Sequence, residues 1–425
     1  MKTILTSIAA SSLFAALAIA QPPRPRYTVK DLGTFGGPGT NSSGFDINNA
    51  GWVAGSGNLT PDGPQHAFLW YGGGPLKDLG TLDGPACPAC NSGAGGPNAF
   101  GEAAIGSEIS KKDPNGEDFC GYGTNLQCLG AIWKNGRLTA LRNLPGGNNA
   151  NAFGLNNFGQ VVGFAENGTP DSTCAPGTAF QVRRFKPVIW GPLGEIRELA
   201  LPLGDTVGFA FGINNLGQAV GSSGVCAKTS LPPVNPDGQH AVLWERDGSP
   251  IILGDLGGPG HHIATAINDR GEVAGNSDHT DGTKHPFVWT RQTGIQDLGK
   301  FPGAFATVAP CCDTINNRGD VVGFWFDEMG PHAFLWQDKV LTDLNKLVPA
   351  DSPLYLLFAD AINDSGEITG VGVTSAGEMH AFLATPRSGE DGSESDGKSP
   401  VVLSEHVREM LRQRLPFGRR LMKTR

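Results

Sequence analysis

The chain repeats one pattern along almost its whole length, and a repeat of this size dictates architecture before any single residue does. The clearest copy runs through 210–221 with Ile213-Asn214 and Gly217, continues at His240-Ala241-Val242-Leu243-Trp244, and closes at Gly254-Asp255-Leu256-Gly257. The Ile-Asn element returns at Ile47-Asn48, Ile267-Asn268, Ile315-Asn316 and Ile362-Asn363, with Leu155-Asn156 as a variant. A glycine follows at Gly51, Gly159, Gly217, Gly271, Gly319 and Gly366, and a later segment ends at Trp70, Trp133, Trp190, Trp244, Trp289 and Trp336. From Gly159 onward the glycines are 47 to 58 residues apart, whereas 108 residues separate Gly51 from Gly159. Two units fit that gap, the second being a degenerate copy over 98–106, so the chain holds seven units.

Each unit contains four short segments of strand type. The link between the first two, Asn-(Asn/Asp)-x-Gly, has the chemistry of a tight hairpin turn: Asn hydrogen-bonds locally and Gly takes the left-handed position. The link between the last two is also short and often carries Gly. The seventh unit stops after His380-Ala381-Phe382-Leu383, without a fourth strand, while 27–33 supplies a spare one near the N-terminus. The fold expected is therefore all-β, a seven-bladed β-propeller-like ring over 27–386, closed by the N-terminal strand pairing with the last blade. A linear β-solenoid is the alternative, but it needs caps and leaves the permuted ends without a reason.

Composition agrees with this reading. Gly (62) and Pro (31) are abundant while charged residues make up 17%, which suits many short strands and turns. Residues 1–20 read as a signal peptide: Lys2, an apolar stretch over 13–19, and small residues at Ala18 and Ala20. No later segment is apolar enough to cross a bilayer as a helix. The expectation is a secreted, periplasmic or extracellular monomer. A net charge of −9 makes nucleic acid a poor partner. That charge is unevenly placed, since 387–425 hold nine Lys/Arg against six Asp/Glu. Within that stretch, 387–400 read as a polar linker, and 401–425 as a basic amphipathic tail helix with Leu403, Val407, Met410, Leu411 and Leu415 on one face.

His-Ala-Phe recurs intact at 66–68, 332–334 and 380–382, with Ile-Asn-x-x-Gly upstream and Asp-Leu-Gly downstream. In this the chain resembles the HAF-repeat family of extracellular repeat proteins, over about 27–386. The resemblance implies export and a propeller-like fold, and brings no catalytic residues. Many such relatives end in a Pro-Glu-Pro sorting signal that this chain lacks.

In an antiparallel third–fourth hairpin the start of one strand faces the end of the other. His66 then meets Asp78, His240 meets Asp255, His285 meets Asp297 and His332 meets Asp343, while His380 meets Asp31 across the closure. In unit three Lys186 and Glu198 replace the pair together, which points to structural cross-strand partners rather than a catalytic or metal role. The Trp positions read as packing between adjacent units.

Eight cysteines in an exported chain read as disulfides. Cys174 and Cys226 are expected to join neighbouring loops, Cys87, Cys90, Cys120 and Cys128 to pair among themselves, and Cys311 and Cys312 to be vicinal partners or free thiols. All eight fall on the face that carries the long loops. There His261, His262, Asp278, His279 and Asp281 form the richest candidate ligand-binding cluster, for a metal or a sugar. No nucleophile elbow or phosphate-cradling loop occurs, and no cofactor or resident metal is implied. The leading functional expectation is a non-catalytic scaffold binding an extracellular glycan or protein. The alternatives are a secreted polysaccharide hydrolase or lyase using carboxylates at the central channel, and a structural component of a cell surface or matrix.

Overall fold

The computed structural model describes residues 26–174, 181–229, 238–310, 313–349 and 351–387. The expected signal peptide, the tail helix, the linker beyond Arg387, and Cys311 and Cys312 lie outside the described residues. Among the described residues the fold is all-β, with three short 3-10 turns and no α-helix.

The four strand-type segments of a unit form one antiparallel sheet in chain order. Ser42–Ile47, Val53–Asn58, Gln65–Trp70 and Lys77–Gly80 make the first such sheet, and Ser92–Pro97, Ala103–Lys112, Leu126–Lys134 and Arg137–Ala140 the second. Two further four-stranded sheets follow. Two more four-strand sets are joined only by a parallel bridge between Lys284 and Ala306. In the last sheet Arg26–Asp31 lies beside Met379–Arg387, from Arg26 opposite Arg387 to Asp31 opposite Phe382. The N-terminal strand is thus the fourth strand of the sheet formed by Tyr355–Ile362, Ile368–Val373 and Met379–Arg387. No individual sheet closes on itself.

The repeated glycine of the second strand has a steric cause. Five first strands carry a bulge close to their turn, centred on Phe45, Phe153, Phe211, Thr265 and Asp360. Beside them the facing backbone crowds the second strand. A Cβ on Gly55 would lie 1.9 Å from the Ser43 carbonyl oxygen, and one on Gly221 or Gly370 would lie 2.0 Å from that of Phe209 or Phe358. Only glycine fits there.

Apolar residues of successive sheets meet in shared clusters. Trp190 packs with Ala104 and Leu144 of the preceding unit, and its indole N–H donates to the Arg142 carbonyl at 2.7 Å. Trp244 packs with Val162 and Leu199 and donates to the Ala200 carbonyl at 2.6 Å. Trp70 packs with Ala361, Ala381 and Leu383 of the last sheet. Burying an aromatic of this size between sheets, with its one polar atom satisfied, is where much of the packing energy resides.

Candidate functional site

The tight turns between first and second strands are built by one asparagine each. Asn48 Oδ1 accepts the N–H groups of Ala50 and Trp52, both at 3.0 Å, and Asn98, Asn156, Asn214, Asn268, Asn316 and Asn363 repeat this two and four residues on. The following Gly takes the left-handed conformation, with φ of +74° at Gly51 and +80° at Gly217. The amide nitrogens link the turns. Nδ2 of Asn48 donates to the Asn98 carbonyl, Asn98 to Asn156, Asn156 to Asn214, Asn214 to Asn268, Asn268 to Asn316, Asn316 to Asn363, and Asn363 back to Asn48 at 3.0 Å. The hydrogen-bond chain returns to its start.

A second circuit lies outside it. The N–H of the next residue donates to a neighbouring side-chain oxygen: Ala99 to Asn157, Asn157 to Asn215, Asn215 to Asp269, Asp269 to Asn317, Asn317 to Asp364 and Asp364 to Asn49. It is interrupted at Ala99, whose methyl group cannot accept from the Asn49 N–H.

These turns surround a cavity of about 140 Å³ lined by the seven asparagines together with Asp269, Asp313 and Asp364. Asp313 is exposed at this opening. Burial pushes its carboxyl up, and the charges of Asp269 and Asp364 add to that, against a hydrogen bond with Asp46, leaving it at about 6. Asp360, half-buried, is pushed up to about 8 by burial alone. Asp313 and Asp360 stand three residues ahead of Asn316 and Asn363, where other units carry Phe45, Phe153 or Phe211. Aligning the copies on Asn would have exposed this change from aromatic to acid, which the sequence reading passed over.

The repeated histidines are cross-strand partners in three sheets. Nδ1 of His66 lies 2.9 Å from Asp78, Nδ1 of His285 lies 3.0 Å from Asp297, and Nδ1 of His380 lies 2.9 Å from Asp31. Each aspartate also accepts the N–H two residues on, from Gly80, Gly299 or Gly33, which explains the Asp-x-Gly spacing. Burial pushes the Asp31 and Asp78 carboxyls up, but the histidine and the glycine N–H outweigh it, and both end below the ordinary carboxylate range.

Two expected pairs do not form. His240 meets Asp205 at 3.0 Å rather than Asp255. The fourth strand there is Pro250–Ile252, with Ile252 opposite Val242, so Ile252 holds the position that Asp297 holds opposite Phe287. Asp255 lies three residues further on and caps only Gly257. His332 meets Asp327 and the Tyr355 hydroxyl rather than Asp343. Its ring stacks on Trp325, with centroids 4.3 Å apart, and Asp343 instead caps the 3-10 turn Leu344–Lys346 through the Asn345 N–H.

The loop-face cluster assembles only in part. His279 stacks flat on His285 with centroids 4.3 Å apart, and the two rings and Asp297 could hold one ion. Asp281 is already engaged by Lys300 at 2.6 Å and Thr283, which hold its carboxyl far below the usual range. His262 turns away into a buried contact with Ser277 at 2.9 Å, and burial lowers its pKa despite Asp255 and Asp278 nearby. Cys174 is bonded to Cys226, Cys87 to Cys90 and Cys120 to Cys128.

No protein-family model matches this sequence, and no curated protein matches it. Solved structures do. A puromycin hydrolase mutant in complex with PGG is 13% identical with a TM-score of 0.52, over 83% of this chain and 55% of that one. Virginiamycin B lyase from Staphylococcus aureus is 11% identical with a TM-score of 0.46, over 84% and 99%. The β-propeller domain of the Trilobed protease from Pyrococcus furiosus is 10% identical with a TM-score of 0.46, over 85% and 98%. At these identities the likeness concerns the fold alone.

Proposed function

We propose that this chain is an exported, seven-bladed propeller of the HAF-repeat kind, ring-closed by Arg26–Asp31, and that it is a non-catalytic binding scaffold. Its acidic central cavity receives a cationic group of a small ligand, such as the amine of an amino sugar. The observation that carries this reading is the cavity on the turn face. Its seven turn asparagines are consumed by their own turns and by one another, while Asp269 and Asp364, though they accept from Asn215 and Asn317, keep their charge beside Asp313, which faces the opening. An ammonium group beside such a cluster gains from every carboxylate it approaches and relieves their mutual repulsion. The seven-membered asparagine circuit and the Arg26–Asp31 pairing support closure.

A second reading, a polysaccharide hydrolase, is favoured by one contact. Asp46 and Asp313 are hydrogen-bonded carboxyls, and such a pair shares a proton and can divide acid and base roles. Calorimetric titration of the purified protein with glucosamine, its N-acetylated form and their oligomers, alongside a hydrolysis screen, separates the two. The scaffold reading expects amine-dependent binding that drops at least about tenfold in Asp313→Asn, without turnover. Turnover lost in the same variant overturns it in favour of the hydrolase.

A further inference from the structure

Asp113, Glu117 and Glu166 meet on the loop face, where the long loop of the second sheet packs against the third. All three are buried, with 6%, 0% and 0% of their surfaces exposed. One carboxylate oxygen from each lies within 4.8 Å of the other two. Gly116 takes φ +73° and turns the chain sharply, while Asp113 Oδ1 accepts the N–H groups of Asn115 at 2.7 Å and Glu117 at 3.1 Å. Asp113 Oδ2 accepts from the Asn149 amide at 2.8 Å, whose own oxygen accepts the Cys128 N–H beside the Cys120–Cys128 bond. Glu117 is held by the Val182 and Arg183 N–H groups and by the Asn115 amide. Glu166 Oε2 accepts from the Asn148 and Asn149 N–H groups, but its Oε1 is buried with no hydrogen-bond partner.

Three carboxyls placed this closely repel one another, and the nearest arginines are turned elsewhere: Arg183 to the Gly146 carbonyl and Arg184 to Asp171. A buried carboxylate oxygen without a donor costs several times what an ordinary hydrogen bond returns. Asp113 and Glu117 are each held through both oxygens by N–H donors, and Glu166 through Oε2, so the three carboxyls are fixed in place and only Glu166 Oε1 is left without a donor. We propose that Asp113, Glu117 and Glu166 form a calcium site that ties the long loop of the second sheet to the third sheet.

The chemistry selects the ion. The donors are all oxygen, which suits a hard cation rather than zinc or copper. Calcium–oxygen bonds of 2.3–2.6 Å put two ligands of one ion at most about 5 Å apart, which matches the observed spread. Magnesium keeps most of its water, and a cluster of fully buried carboxylates leaves little room for it. The local sequence, Asp113-Pro114-Asn115-Gly116-Glu117, alternates oxygen-bearing residues around a tight glycine turn.

The test uses the whole exported protein, stripped with EDTA and dialysed. One calcium ion per chain should bind in equilibrium dialysis, and 1 mM Ca²⁺ should raise Tm by at least about 3 °C once it exceeds Kd a hundredfold. Glu166→Gln keeps the shape and lets the new amide donate to Glu117. It should leave the calcium-free Tm unchanged or higher while abolishing the calcium response. No bound calcium, an equal response to Mg²⁺, or an undiminished response in Glu166→Gln would each overturn the proposal.

Discussion

On the turn face, Asn48, Asn98, Asn156, Asn214, Asn268, Asn316 and Asn363 all do the same work with the same atoms. On the loop face the described links between second and third strands differ widely in length and content. The second and third strands are joined through a buried carboxylate loop and a disulfide in one sheet, through Cys226 and the 3-10 turn Cys226–Lys228 in another, and through the short turn at His279–Asp281 in a third. The turns are locked by backbone geometry that every unit shares, so departures there disrupt the neighbours as well. The loops are constrained only at their ends, so they can differ and can be stapled or ion-bound one by one.

The largest effect is expected where Arg26–Asp31 joins Met379–Arg387. Tyr27 is 1% exposed and packs with Val322, Leu335 and Phe382, so Tyr27→Ala should cost about 3–5 kcal/mol in urea denaturation. If the N-terminal strand were dispensable, the variant would unfold at the wild-type midpoint. Next, Asn268→Ala strands the N–H groups of Arg270 and Glu272 and the Asn316 carbonyl, and should cost about 2–4 kcal/mol, whereas Asn41→Ala, outside the circuit, should cost under about 1 kcal/mol. Equal losses from the two would dissolve the distinction between the turn circuit and its surroundings.

The loop face should respond to oxidation state instead. Cys226→Ser opens the link to Cys174 and should lower stability by about 2–4 kcal/mol, with limited proteolysis rising selectively in the loops of the third and fourth sheets. Acid adds a smaller loss common to the paired sheets. Asp31 and Asp78 titrate below their ordinary range in the folded chain, so their contribution is complete above about pH 4 and is lost as pH falls through their folded values. Replacing His66 by Ala should shrink that acid-dependent loss and cost about 0.2–1 kcal/mol at neutral pH. The smallest change is a gain: Ala99→Asn supplies the missing acceptor in the outer circuit and should stabilise by up to about 1 kcal/mol, read as a rise in Tm.

Much of this was legible because a repeated chain can be compared with itself. Four strands per unit, the tight Asn-Gly turns, the inward Trp and the partnership of His66 with Asp78 all follow from spacing. Misreadings arose where spacing and register part company. Asp255 carries the right letters but sits past the end of Pro250–Ile252, and Asp343 has the right position but a stronger local use as a cap. The calcium site was invisible as a motif because only Asp113 and Glu117 are neighbours in sequence, while Glu166 arrives from the next sheet.

By itself, the sequence determined the all-β character, the four-strand unit and the pairing of Arg26–Asp31 with the strand that carries His380, since period-two strands and glycine turns are set by local sterics and repeat many times over. Which oxygen atoms converge was decided only by the tertiary structure. The separation of carboxyls such as Asp46 and Asp313, or Glu117 and Glu166, depends on how neighbouring sheets are angled and bulged, and a few ångströms there change a solvated charge into a shared proton or a ligand for an ion.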